Sequence, residues 1–222
     1  MKIAVCFSGQ IRGIENTYQS ILNFLDNSFE SYKIFAYIPE DSSSNKFESY
    51  FSNSRLLIEK DKKVLITKLK LDQFKTVKHK FGTLRKAREA HMLQLYGIFK
   101  ANEMKRNYEA NLGTKFDWVL RCRSDLRFYT NKININNLNN QYLYTANFHQ
   151  FNGINDRFIL GNSKNMDKFS DLYNYLKKYK VEGYNAETIF KNYLDIVNLE
   201  NLELNIKFNR IRQDGTELKD FV

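Results

Sequence analysis

The stretch FDWVLRCRSDLRF, residues 116–128, decides the fold, because a short apolar strand in it runs directly into a charged loop. Residues 118–122 are of the types found in strands that are covered on both faces. The loop then supplies Arg123, Asp125 and Arg127. Open α/β sheets bind ligands at the carboxyl ends of strands, where Asp suits Mg²⁺ or Mn²⁺ and Arg suits phosphate. The pattern predicts either a site for a diphosphate and its metal or a salt-bridge cluster at a strand end.

The composition predicts one folded domain over residues 1–222. Hydrophobic residues make up 42% of the chain and include 18 Phe and 14 Tyr, which is ample for a packed core. One Pro and nine Gly leave no linker-like segment. The chain begins with a strand-like segment rather than a signal peptide, and no apolar run is long enough to span a membrane. We therefore expect a cytoplasmic protein.

The two cysteines, Cys6 and Cys122, fall in separate predicted strands and lack a CxxC spacing. This pattern predicts two buried thiols, with a disulfide as the alternative.

The net charge of +10 is concentrated in one segment, residues 60–88, which holds eleven Lys or Arg against two Asp. Such a segment can bind nucleic acid, anionic lipid headgroups or a diphosphate, or it can be a solvated basic face. Because no stacking-aromatic or zinc pattern accompanies it, nucleic acid is not the expected partner.

A strand–loop–helix unit opens the chain, with an apolar run at 2–7 and helical spacing of apolar residues over 14–25. The loop between them carries Ser8, Gly9, Gln10 and Arg12. In such a unit the loop N–H groups and the helix N-terminus favour a phosphate or the edge of a nucleotide base. The loop matches neither the P-loop nor the GxGxxG spacing.

Further strands are predicted at 33–38, ended by Pro39, and at 64–67, with a polar loop and a short helix over 40–54. Strands separated by crossovers indicate a parallel sheet.

The longest predicted helix spans 85–106. Arg85 and Arg88 at its start are candidates for anion binding, because the helix dipole adds to their charge. His91, like Gln94 and Asn102, lies close to the apolar stripe and must find a partner in the protein or in a ligand.

The last third of the chain adds a strand at 141–146, a helix at 162–178 and a strand at 202–211. Asn155 and Asp156 stand just before an apolar run at 158–161. Asn185 is a plausible N-cap for a late helix. Glu187 in its first turn is either a functional carboxylate or a simple complement to the helix dipole.

Taken in order, these pieces resemble the GT-A type glycosyltransferases, and are most similar to small enzymes that build lipopolysaccharide, capsule or viral surface glycans. The matching segments are 7–12, 96–108, 117–126 and 155–158, followed by Glu187, and the match extends over residues 1–195. The resemblance implies a GT-A-like α/β/α sandwich with a mostly parallel central sheet. It also implies a hexosyltransferase-type enzyme of polysaccharide biosynthesis that uses a nucleotide-sugar donor.

The resemblance further implies roles for single residues. The nucleotide-sugar-binding candidates are Ser8, Gly9, Gln10, Arg12, Tyr37, Arg85, Arg88, His91, Arg123 and Asn155. Asp125 matches the last carboxylate of the family's DxD metal motif, with Mn²⁺ or Mg²⁺ as cofactor. Arg123 stands where the first Asp of that motif would be and can itself neutralise part of the diphosphate. Asp156 first and Glu187 second are the candidates for the catalytic base.

The expected acceptor is a glycan, free or linked to lipid, and the basic segment 60–88 is compatible with docking at an anionic membrane. Two alternatives remain open. One is a sugar-phosphate nucleotidyltransferase, which would need a Gly-rich N-terminal loop. The other is a non-enzymatic basic module that binds membrane or nucleic acid.

Overall fold

The computed structural model describes residues 1–11, 13–40, 44–52, 54–59 and 84–221, apart from the side chains of residue 45 and residues 84–88. The strands are β1 Ile3–Ser8, β2 Tyr32–Pro39, β3 Ser54–Glu59, β4 Trp118–Cys122, β5 Leu126–Phe128, β6 Leu143–Ala146, β7 Phe158–Gly161, β8 Asn201–Leu204, β9 Phe208–Ile211 and β10 Glu217–Leu218. The α-helices are α1 Ile14–Ser28, α2 Phe47–Tyr50, α3 Leu84–Leu112, α4 Ser163–Ser170, α5 Leu172–Lys178 and α6 Ala186–Ile196.

In the described part of the chain, seven strands form a central sheet in the order β3-β2-β1-β4-β7-β6-β8. The β1–β2, β2–β3, β1–β4 and β6–β8 pairs are parallel, whereas β7 pairs antiparallel with both β4 and β6. Six of these strands therefore run one way and β7 alone is reversed. The expected α/β class and mostly parallel central sheet are confirmed.

Alternation along the buried strands divides the core into two layers, because successive side chains point to opposite faces. Val119 packs with α3–α6 on one face, and Leu120 packs with α1 and α2 on the other. Helices thus cover both faces of the central sheet, as in the predicted sandwich.

A smaller antiparallel sheet, of order β10-β9-β5 within the described ranges, lies beside α1. Its strand β5 follows β4 directly in the chain but belongs to the smaller sheet, and the sequence predicted only a loop at this position. The predicted strand over 202–211 is likewise divided between the two sheets. Its first part, β8, joins the central sheet, and its second part, β9, joins the smaller one. A continuous strand over this segment was therefore a wrong expectation.

Two other boundaries differ from prediction. The helix expected over 162–178 breaks at Asp171, whose N–H bonds the carbonyl of Lys168 at 3.1 Å, so that α4 and α5 are separate helices. Strand β3 went unpredicted because it is a polar edge strand with alternating burial. The strand expected at 64–67 and nearly all of the basic segment 60–88 lie outside the residues that the structure describes.

Both thiols are buried and free, as predicted. Cys6 pairs with Arg121 across β1 and β4, whereas Cys122 pairs with Phe7, so the two sulfurs point to opposite faces of the sheet. A disulfide between them is excluded by this register. Among the helices in the described ranges, none has both the length and the apolar character that crossing a membrane requires.

Candidate active site

The reversal of β7 brings two charged segments together. Cys122 at the end of β4 pairs with Phe158 at the start of β7, and the Arg123 N–H bonds the carbonyl of Arg157 at 3.3 Å. The segment before β7 and the loop after β4 therefore meet at one edge of the sheet. This is the edge formed by the carboxyl ends of the parallel strands, where such sheets bind ligands.

The backbone of the loop after β4 is fixed from two other elements. Thr17 of α1 donates its hydroxyl to the Ser124 carbonyl at 2.6 Å, and the N–H of Ile211 in β9 bonds the Asp125 carbonyl at 2.8 Å. A loop held in this way keeps its side chains in a defined place without help from a ligand.

Arg123 and Asp125 form a two-pronged ion pair in this loop. Arg123 Nε lies 2.8 Å from Asp125 Oδ1, and Nη2 lies 2.5 Å from Oδ2. Burial opposes the charge on Arg123, but the Asp125 carboxylate outweighs it and raises the pKa of Arg123. The salt-bridge cluster that the sequence allowed at the strand end is therefore present.

Asp156 lies in the segment before β7, buried under α3. Its Oδ2 accepts a hydrogen bond from Gln94 of α3. Burial would raise the pKa of Asp156, but Arg121, Arg157 and Arg123 together lower it below its usual value. Asp156 is thus a firmly ionised carboxylate. Gln94, which the sequence placed close to the apolar stripe of α3, therefore has Asp156 as its partner.

Two guanidinium groups are buried beside Asp156. Arg121 faces Ile159 across β4 and β7, which places it on the α3 face of the sheet. The Nε and Nη1 groups of Arg121 and of Arg157 are buried and have no hydrogen-bond partner among the described residues. Burial lowers the pKa of Arg121 to about 10, still far above neutrality. These four guanidinium nitrogens, which carry six N–H groups, therefore have no acceptor oxygen among the described residues.

Glu187 reaches the same place from the first turn of α6. Asn185 caps this helix as predicted, with its Oδ1 2.8 Å from the Thr188 N–H in a capping box. Glu187 Oε1 lies 3.9 Å from Arg157 Nη2. Burial and the nearby charge of Asp156 raise the pKa of Glu187 to about 6. The site therefore contains two carboxylates with opposite pKa shifts, and the charge of Asp156 contributes to the shift of Glu187.

The smaller sheet and the segment after it contribute further charged residues near the site. Arg210 of β9 donates to both oxygens of Asp220, at 2.7 and 2.6 Å, and His149 Nδ1 lies 3.2 Å from Asp220 Oδ1. Asp220 also influences the pKa of Arg123 and of Arg157. Sequence reasoning missed these residues, as it missed Arg121 and Arg157.

The loop after β1 lies on the other side of Ser124, whose hydroxyl donates to the Gln10 carbonyl at 3.4 Å. Gly9 has a left-handed φ of 97°, and the Ser8 Oγ is buried without a partner in the described residues. Gly97 of α3 packs so closely that an added Cβ would lie 3.3 Å from the Ser8 Cβ. The small residues of this loop therefore let α3 approach the end of β1.

The remaining candidates for nucleotide-sugar binding have protein partners or lie beyond description. Tyr37 donates its hydroxyl to Glu59 at 2.9 Å. Asn155 uses its amide within its own loop, donating to the Phe148 carbonyl at 2.7 Å and accepting from the Arg157 N–H at 2.9 Å. His91 is buried, with its ring 6.3 Å from Phe190 of α6. Arg12 and the side chains of Arg85 and Arg88 are outside the described residues.

The donor set can be compared with what a divalent ion needs, which is several oxygens free to coordinate it. Asp125 is the carboxylate expected to hold the ion, yet both of its oxygens accept from Arg123. Over the residues that the structure describes, no group of three acidic, His or Cys side chains is placed to hold a metal. The described residues therefore do not fit Mn²⁺ or Mg²⁺ in this arrangement, and the metal stays a prediction from the resemblance.

Solved structures of other proteins resemble this chain at low sequence identity. No curated protein matches the chain. Among solved structures, apo mouse xyloside xylosyltransferase 1 is 10% identical over 92% of this chain and 85% of its own, with a TM-score of 0.49. The apo form of the glycosyltransferase GlyE from Streptococcus pneumoniae TIGR4 is 18% identical over 91% of this chain, with a TM-score of 0.49, and the chain covers 45% of its length. The first is described as a xylosyltransferase and the second as a glycosyltransferase.

A family model matches residues 1–214, which is nearly the full length of the chain. The chain therefore belongs to the family described as a domain of unknown function, DUF7796.

Proposed function

We propose that this protein transfers a sugar from a nucleoside-diphosphate-sugar donor to a hydroxyl group of a glycan acceptor, free or lipid-linked. The observation that carries the proposal is the position of Glu187, a carboxylate with a pKa raised to about 6, beside the buried arginines at the carboxyl edge of the sheet. A base that is mostly ionised at neutral pH can take the proton of an acceptor hydroxyl, and a cluster of fixed positive charge can stabilise a leaving diphosphate.

The donor belongs over the ends of β1 and β4. Gly9 and Gln10 border that space on one side, and Arg123, which is one-third exposed, borders it on the other. As the bond between the anomeric carbon and the diphosphate oxygen breaks, its electron pair remains on the diphosphate. The unpartnered N–H groups of Arg121 and Arg157 are placed to compensate the charge that develops there.

Glu187 is the better candidate for the base, although the sequence ranked Asp156 first. Asp156 accepts a hydrogen bond from Gln94, and although burial opposes its charge, the charges of three nearby arginines lower its pKa and weaken it as a proton acceptor. In the proposed step the acceptor oxygen bonds to the anomeric carbon while its proton passes to the Glu187 carboxylate. Asp156 then acts as a fixed negative charge that helps to keep the buried Arg121 and Arg157 ionised.

The first test is a thermal-shift screen of UDP-, GDP- and dTDP-sugars, with and without Mn²⁺, followed by an assay of nucleoside-diphosphate release. A donor that binds only the folded state raises the melting temperature by mass action. We expect one nucleotide class to do so and to be turned over slowly with water as the acceptor.

Glu187→Gln should lower that turnover by about 10²- to 10⁴-fold, the usual contribution of a general base. Glu182→Gln is the matched control, since Glu182 lies five positions earlier and its side chain is 77% exposed. The proposal fails if no donor shifts the melting temperature or is turned over, or if the Glu187 variant keeps the turnover of the Glu182 variant.

A further inference from the structure

The loop between β6 and β7 has an unusual backbone. In the described part of the chain, four non-glycine residues have a left-handed φ, and three of them lie within this loop: His149 at 50°, Phe151 at 46° and Asn152 at 65°. A residue with a Cβ is strained in this region, and Asn is strained least. Strain of this kind concentrates at functional sites, where surrounding contacts hold it in place.

Several contacts hold this loop against the first turn of α6. The Ile154 N–H bonds the Glu187 carbonyl at 3.2 Å, while within the loop itself the Gly153 N–H bonds the Gln150 carbonyl at 2.7 Å. Gly153 lies so close to the helix that an added Cβ would lie 2.1 Å from the carbonyl carbon and oxygen of Glu187. The loop is therefore built directly onto the residue proposed as the base.

Asn185 joins this loop to the segment that leads into α6. Its Oδ1 caps the helix, while its Nδ2 donates to the carbonyl of Phe151 at 3.2 Å. The N–H of the neighbouring Tyr184 bonds the Thr188 hydroxyl at 2.8 Å, which fixes the backbone that carries the Tyr184 ring. One side chain thus links the backbones that carry Phe151 and Tyr184.

These two rings are left in solvent. The Phe151 residue is 51% exposed and Tyr184 is 75% exposed, and the ring of His149 lies 5.1 Å from that of Phe151. A strained backbone that presents an apolar ring to water gains nothing for the fold by doing so. Large exposed apolar groups beside a polar cluster mark binding surfaces.

We infer that Phe151 and Tyr184 bind a pyranose ring of the acceptor. This rests on the proposed function, because the acceptor hydroxyl must come within hydrogen-bond reach of Glu187. The acceptor ring must then lie on the surface next to the first turn of α6, where these two residues are exposed. A sugar ring has C–H groups that pack on the negative face of an aromatic ring, and its hydroxyls can reach the polar groups around it.

The probes are methyl glycosides of glucose, galactose, mannose and xylose, and binding is measured by saturation-transfer-difference NMR without any donor. We expect at least one glycoside to receive saturation from the protein. Phe151→Ala and Tyr184→Ala should each weaken that binding by about fivefold, the order of one ring-face contact. Tyr179→Ala is the control, because Tyr179 is similarly exposed, at 56%, at the end of α5.

Phe151→Gly separates binding from folding. Glycine tolerates the left-handed backbone, so this variant should be at least as stable as the wild type and still lose glycoside binding. The inference is overturned if no glycoside binds, or if the Phe151 and Tyr184 variants bind as the Tyr179 variant does. Donor thermal shifts are measured on the same samples: a donor shift without glycoside binding contradicts only this inference, whereas loss of both contradicts the proposed function as well.

Discussion

The guanidinium of Arg123 occupies both carboxylate oxygens of Asp125, at 2.8 and 2.5 Å. In the resembling enzymes the matching carboxylate holds a metal, so Arg123 and a divalent ion would compete for the same two oxygens. The Arg123 guanidinium is already a fixed positive charge at the carboxylate that would bind the ion. The pair therefore predicts a particular response to metal removal.

We expect donor turnover in EDTA to stay within about twofold of its value in Mn²⁺, since Arg123 already supplies positive charge. Arg123→Ala should weaken donor binding by about tenfold or more, the size of a lost charge-assisted hydrogen bond. Arg127→Ala is a matched control, because Arg127 is equally exposed and pairs with Glu217 in the smaller sheet. Turnover that vanishes in EDTA and returns with Mn²⁺ would contradict this prediction.

Glu187 should link activity and stability to pH in opposite directions. Its pKa of about 6 lies above the value of 4.5 for an unfolded chain, so folding favours the protonated form. Stability from this group is complete below pH 4.5 and is lost as the pH rises through about 6. Donor turnover should rise over the same interval, because the base form appears there.

Glu187→Gln should therefore be more stable than the wild type at pH 7.5, by on the order of 1–2 kcal/mol, and equal to it near pH 4.5. Urea unfolding at the two pH values measures the difference, with Glu182→Gln as the reference. A variant that is less stable than the wild type at pH 7.5 would show that the Glu187 carboxylate stabilises the fold.

Lys105 should be a determinant of stability away from the active site. It is fully buried in α3, and its Nζ lies 2.6 Å from Ser163 Oγ, 2.8 Å from Asp167 Oδ1 and 3.2 Å from Glu109 Oε2. Lys105→Met leaves the buried Glu109 with the mostly exposed Lys115 as its remaining cationic partner and should cost about 1–3 kcal/mol.

Lys100→Met on the same helix provides the comparison, because the Lys100–Glu103 pair is partly exposed and should contribute under about 1 kcal/mol. The measurement is urea unfolding at neutral pH. In a double variant with Glu109→Gln the two costs should not add, since the residues share one network. Equal stability of the Lys105 and Lys100 variants would show that this network is not important for the fold.

The features that could be predicted are those that depend only on residues close together in the sequence. The strand–loop pattern around Asp125 and the N-cap at Asn185 are short-range signals, and the structure has both the strand end and the cap where the sequence indicates them. Gln94 was flagged because a polar group on an apolar stripe needs a partner. Its partner Asp156 lies 62 positions away, and no local pattern indicates which residue it meets.

The other charged residues of the site could not be predicted, for the same reason. Arg210 belongs to the segment 202–211, which was predicted to be a single strand, and the division of this segment between two sheets depends on tertiary pairing rather than on local preference. Asp220 lies beyond that segment, where no element was predicted. Arg121 was read as part of an apolar strand. Its importance follows only from its register opposite Ile159, which sets the face of the sheet on which it lies.

The reversed strand β7 also makes the connection from β6 a hairpin, because β6 and β7 are antiparallel neighbours. A hairpin connection does not have to cross the sheet, so residues can be inserted in or removed from it without changing the strand order. Glu187 is supplied from a different element and would remain where it is as long as the contacts of residues 151–154 with α6 are kept. If the proposed function holds, the part of this connection away from α6 can therefore vary in length while Glu187 and the ends of β1 and β4 stay constant.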